Sequence, residues 1–236
     1  MRELVTMDRE LYPFDLFGVP HMVALLFCLA IIWSLYHFRD TLRKQSRKLW
    51  IYSLIAILLI GEISFHAWYV TYGEWDLAVN LPLQLSSISV YLVVFMLLLK
   101  RRWLFEITFF IGITGGLIAM MTPELFFGFP HIRFFQFFIV HAAIVVGCFY
   151  MLFVERMALS WTSVLKSFLA LNVIAVLVFM VNGLFDANYM FLSEKPAQAT
   201  LIDLMGPYPW YIVTLELLAF TLFCLIFLLV SKQNKR

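Results

Sequence analysis

One imidazole, a run of hydroxyls and two carboxylates interrupt otherwise apolar sequence, and they are the groups able to do chemistry. His141 stands in Phe137-Phe138-Ile139-Val140-His141-Ala142. An ionisable residue in so apolar a run is costly to bury, which makes it a functional candidate by default. A neutral imidazole there needs partners for its N–H and its lone pair. Near a serine and an acid it can serve as the general base of acyl transfer. Ser87 and its neighbour Ser86, in Leu83-Gln84-Leu85-Ser86-Ser87-Ile88-Ser89, are the candidate nucleophiles, and Glu62 or Glu216 the acid that orients the base. The same groups can instead bind a polar headgroup or relay protons, with no covalent step. Neither a G-x-S-x-G elbow nor an H-E-x-x-H motif is present.

Spacing sorts these residues into faces. Glu62 and His66 are four apart and share one helix face. Gln84, Ser87 and Tyr91 follow at offsets of three and four, while Ser86 and Ser89 form a second stripe. The plain alternative is that the Glu–His pair only fixes helix packing and the serines only allow helices to approach closely. Asn172, Asn182, Asn188, Tyr189 and Glu216 complete the set of candidate binding residues.

The elements that must position them are membrane helices. The 236 residues are 63% hydrophobic, with 25 Phe, and only 14% charged. A soluble domain is roughly 45–50% apolar and about 25% charged. Apolar runs near 20 residues long match a bilayer's hydrocarbon core, and there they must be helical, since unpaired backbone groups find no water. The expected fold is all-α: a single polytopic bundle over 1–236 with seven transmembrane helices, at about 20–38, 49–70, 82–99, 103–121, 132–154, 163–183 and 209–230. Asn80 is expected to cap the third and Pro82 to stand in its first turn. Lys100-Arg101-Arg102 marks the tight break after it, because three adjacent cations do not belong in hydrocarbon.

Charge sets the expected orientation. Alternate loops carry thirteen cations on one side and four on the other, Arg2, Arg9, Arg133 and Lys195 being the four. The positive-inside rule then puts the N-terminus outside and the C-terminus in the cytoplasm. The first nineteen residues lack the basic region and cleavage site of a removable signal peptide. Cys28, Cys148 and Cys224 fall inside helices at spacings that fit neither a metal site nor a disulfide framework. No metal and no cofactor is expected, and no nucleic-acid partner. The expected partners are membrane lipids and a lipid or lipid-like substrate, in a multi-pass protein of a bacterial plasma membrane.

At 1.5 Å of rise per residue, Glu62, Ser87, Tyr91, His141, Asn172 and Glu216 all fall roughly 7–17 Å below the outer face. This predicts a polar cavity open to the outside, beneath a long outer loop from Phe185 to Trp210. Loops of such length are often lids or binding loops.

Leu81-Pro82-Leu83-Gln84-Leu85-Ser86-Ser87-Ile88-Ser89, His141, Asn188-Tyr189-Met190-Phe191-Leu192 and Gly206-Pro207-Tyr208-Pro209-Trp210-Tyr211 resemble the YwaF family of bacterial integral membrane proteins. The resemblance covers nearly the whole chain. It extends more distantly to a eukaryotic family with a proposed ether-phospholipid acyltransferase that uses a Cys and a His, and so implies lipid acyl chemistry. The relatives usually have His at the position of Gln84 and Cys at that of Ser86. His141 carries over unchanged.

Overall fold

The computed structural model describes residues 2–45, 47–196 and 201–231. Among the described residues eight α-helices carry the fold: α1 (Val19–His37), α2 (Arg39–Lys44), α3 (Arg47–Thr71), α4 (Leu85–Leu99), α5 (Arg102–Met121), α6 (Ile132–Phe153), α7 (Trp161–Phe185) and α8 (Trp210–Ser231). Among the described residues there is no β-strand, only an isolated bridge between Pro13 and Phe127.

Six of these helices, α1, α3, α5, α6, α7 and α8, are long and apolar enough to cross a membrane. The remaining expected span, 82–99, is shorter in the structure. α4 has 15 residues, roughly 22 Å of rise against a hydrocarbon core of about 30 Å. Gln84, expected inside the helix, is its extended N-cap at φ −65°, ψ 147°. Asn80 does not cap α4 either. Its Oδ1 accepts from the Asp76 backbone N–H at 2.8 Å and closes a local turn. The residue before a proline avoids the helical region, and Leu81-Pro82 accordingly leads in as non-helical backbone.

α5 is the hub. It packs against α4, α6, α7 and α8, and α3 closes the bundle against α4 and α6. α1 lies outside on α6. The core between these helices is built from Val93, Leu97, Phe105, Phe109, Ile144 and Cys148, all buried. Small residues bring the helices close. A Cβ on Gly147 of α6 would lie 2.7 Å from Val93 Cγ1, and one on Gly112 of α5 would lie 3.0 Å from Cys148 Sγ.

At the basic end, Lys100 ends α4 in the left-handed conformation, φ 48°. The cations there are tied down. Glu155 accepts from Lys100 at 2.8 Å and from Arg47 at 3.4 Å, and Arg43 donates to the carbonyls of Phe153 and Val154. Buried Glu106 holds Lys166 at 2.6 Å and Arg102 at 3.2 Å.

Candidate functional site

Four helix contacts fix the level of the polar residues. Gly61 of α3 lies against Val140 of α6, where an added Cβ would be 2.2 Å from Val140 Cγ2. On α5, Gly115 faces Leu85 and Ser89 of α4, while the adjacent Gly116 faces Val145 and the His141 carbonyl of α6. Val93 seats against Gly147. Counting from that contact toward the start of both helices at equal rise brings Ser86 and Ser87 level with Val140 and His141. The Gly61–Val140 contact brings Glu62 to the same level. The first turn of α4, the middle of α3 and the middle of α6 therefore meet at one depth, beside the glycine pair of α5.

His141 is 5% exposed. Its Nδ1 bonds the Phe137 carbonyl at 2.7 Å, one turn back in its own helix, and its ring lies 4.1 Å from that of Phe137. A carbonyl only accepts, so Nδ1 carries the proton and Nε2 keeps its lone pair. Nε2 has no hydrogen-bond partner among the described residues. Ser86 and Ser87 are half-buried, and their hydroxyls likewise have no hydrogen bond among the described residues. Ser89 is committed elsewhere, donating to the Leu85 carbonyl at 2.7 Å.

Glu62 and His66 form the polar face of α3. Their closest approach is 3.6 Å, from Nε2 to Oε1. That exceeds hydrogen-bond length, so the buried Oε1 has no hydrogen-bond partner among the described residues. Trp75, in the loop after α3, donates to His66 Nδ1 at 3.2 Å. Tyr91 of α4 and Arg133 of α6 lie within electrostatic reach of Glu62.

The remaining candidates hold the protein together in other ways. Gln84 Oε1 accepts the Met190 backbone N–H at 3.0 Å, which ties the start of α4 to the long loop. Asn182 binds both backbone groups of Tyr189, accepting from its N–H at 2.9 Å and donating to its carbonyl at 3.0 Å. The Tyr189 hydroxyl accepts the Leu81 N–H and donates to the Leu77 carbonyl, each at 2.7 Å. It thereby satisfies backbone groups of the non-helical segment ahead of α4. Asn188 closes the loop on itself through the N–H groups of Ser193 and Glu194. Asn172 donates to Glu216 at 2.9 Å across α7 and α8. Asn172 also borders a shallow recess with Val173, Val176 and Leu177, whose side chains are exposed. No hydrogen bond joins Asn172 or Glu216 to His141 or to the serines.

Two contributors were not singled out from sequence. By sequence Arg133 enters only the cation count, yet its guanidinium lies 4.4 Å over the Phe65 ring. Gln136, off the His141 face, turns to α3 instead and donates to the Gly61 carbonyl at 3.0 Å. Their offset of three marks them as one stripe. Among the described residues, no group of three or more His, Cys, Asp or Glu side chains is placed to hold a metal ion.

A family model described as the TMEM164 family matches residues 16–227. The chain belongs to the TMEM164 family. The match takes in all six long apolar helices up to Phe227, together with α4 and the polar level around His141. With those helices, membership makes the chain a multi-pass integral membrane protein. No curated protein and no solved structure matches it.

Proposed function

We propose that this member of the TMEM164 family acts on lipid acyl chains, by transfer or hydrolysis, with His141 as the general base. The observation that carries the reading is the state of His141: an imidazole fixed through Nδ1, with a free Nε2 lone pair, level with two uncommitted serine hydroxyls. The resemblance to YwaF proteins, and through them to a proposed ether-phospholipid acyltransferase, supports the same chemistry. In the proposed sequence, Nε2 takes the proton of a serine hydroxyl as the oxygen attacks the ester carbonyl. It returns that proton to the departing glycerol oxygen. An acyl-serine remains, which a second lipid hydroxyl or water then attacks by the same proton route. Ser86 lies seven residues before Val93 and so on the face that meets α5 and α6. Ser87 lies on the Tyr91 face, toward Glu62.

The topology belongs to this proposal. We infer that α4 with its non-helical lead-in makes a seventh crossing, the N-terminus outside and the C-terminus in the cytoplasm of a bacterial cell. The thirteen-to-four division of cations supports it. The polar level then opens to the outer leaflet.

A second reading rests on Gln84, which the Met190 amide occupies. With that residue used for anchoring, the site serves as a non-covalent lipid or small-solute binding or transport site. Intact-protein mass spectrometry after incubation with phospholipid separates the two. An acyl mass added at Ser86 or Ser87, absent in His141→Gln, supports acyl chemistry. Bound lipid without any covalent adduct supports the second.

A further inference from the structure

Between α3 and α6 stands a cation that has no ion pair among the described residues. Arg133 is half-buried, with Phe65 at 4.4 Å and Trp68 at 5.7 Å from its guanidinium carbon to the ring centres. One of its five N–H donors is used, on Gln136 Oε1. Nε is buried and has no hydrogen-bond partner among the described residues. No carboxylate pairs with it among the described residues, because Glu62, the acid within electrostatic reach, leans to His66 instead. An unpaired charge held partly out of water is unfavourable, and a guanidinium is shaped to grip an oxyanion with two parallel donors. The unused donors stand beside two aromatic faces.

The height of the guanidinium identifies the acceptor. Gly61 and Val140 are level, and α3 and α6 run in opposite directions, so Phe65 comes level with Gln136. The guanidinium is closer to Phe65 than to Trp68, which sets it about five residues, or roughly 7 Å, above His141. In a phospholipid, five bonds of about 1.5 Å in zigzag separate the phosphorus from a glycerol-ester carbonyl, a span on the order of 6 Å. The two spans agree.

We propose that Arg133 is a phosphate-anchoring residue that holds a phospholipid headgroup so that its ester carbonyl sits at the level of His141. This rests on the acyl-chemistry reading for the identity of the ester. Glu62, of opposite charge, offsets part of the positive potential of Arg133 and tunes how tightly the phosphate is held.

The test is an equilibrium one. The purified full chain in detergent is offered equal amounts of phosphatidylglycerol and diacylglycerol of matched chains, and native mass spectrometry reads which is retained. The wild type is expected to favour the phospholipid by about tenfold or more, Arg133→Gln to bring the ratio near one, and Glu62→Gln to raise it. An unchanged ratio in Arg133→Gln overturns the proposal. If that variant does not fold, Glu62→Gln with Arg133→Gln removes both charges together, and retention of the preference in that pair overturns the proposal equally. Displacement of the phospholipid by millimolar inorganic phosphate assigns the site to free phosphate and overturns the lipid anchor, whereas no displacement supports it. Binding requires no turnover. An intact preference without acyl transfer sinks only the acyl reading, and acyl transfer with a preference indifferent to Arg133 sinks only this one.

Discussion

The indole N–H of Trp75 donates to Nδ1 of His66 at 3.2 Å, and that bond decides which imidazole nitrogen faces Glu62. Indole is a donor only, so Nδ1 is the acceptor and the neutral ring carries its proton on Nε2. That proton points at Glu62 Oε1, 3.6 Å away. A residue of the loop after α3 thus orients the acid–imidazole pair through a single bond.

Removing that bond frees the ring. Trp75→Phe keeps an aromatic side chain and deletes the donor. Nitrogen-15 spectra of labelled His66 are expected to show one tautomer, protonated at Nε2, in the wild type and a mixture in the variant. The same spectrum in both proteins contradicts the assignment.

Asn182 is the latch of the long loop. Asn182→Ala strips partners from the buried N–H and carbonyl of Tyr189, at a cost of roughly 1–3 kcal/mol for each group left unpaired. A lower thermal midpoint in detergent and faster proteolysis between residues 186 and 196 are expected. Unchanged cleavage would mean that other contacts hold the loop.

His131 makes the start of α6 sensitive to pH. Its Nδ1 caps α6 by accepting the Arg133 backbone N–H at 3.1 Å, and its Nε2 donates to the Thr6 carbonyl at 2.9 Å. The ring stacks on Phe127, 4.4 Å away. Burial, chiefly, and the nearby Arg133 charge hold its pKa below the usual histidine value, against a smaller upward pull from the Thr6 bond. The folded chain therefore binds a proton less readily than the unfolded one. This contribution to stability is complete above pH 6.5, the ordinary value. It declines as the pH falls below that value toward the folded pKa. His131→Asn keeps a capping oxygen and cannot titrate. Its thermal midpoint is expected to fall less than that of the wild type between neutral pH and pH about 5.5. An equal fall in both assigns the acid sensitivity to other groups.

The long helices were legible because their apolar runs exceed what a soluble fold tolerates, and Lys100 broke the chain where its charge demanded. α4 was not, although Asn80 and Pro82 carry ordinary start signals. The Asp76 N–H won the Asn80 side chain, and the Leu81 N–H beyond it is satisfied from more than a hundred residues away by the Tyr189 hydroxyl. Local spacing contains no trace of such a partner. Gln84 escaped for the same reason, since its stripe with Ser87 and Tyr91 is visible in sequence but its bond to Met190 is not. Helical rise alone suggested a common depth for Glu62, Ser87 and His141, and the glycine contacts of α3, α5 and α6 supply a physical register for it. For Asn172 and Glu216, equal depth meant a different seam, between α7 and α8. Arg133 was hidden because a cation at a helix end reads as a topology signal, and the rings that surround it come from another helix.

The central claim is that His141 serves acyl chemistry on lipid. Its most direct measurement follows a phospholipid carrying a labelled acyl chain, incubated with purified protein and an acceptor lipid bearing a free hydroxyl, in wild type and His141→Gln. The account predicts labelled product from the wild type and a rate lower by roughly 10²-fold or more in the variant, the usual worth of a general base. Equal product from both proteins, or none from a folded wild type that retains bound lipid, would contradict it.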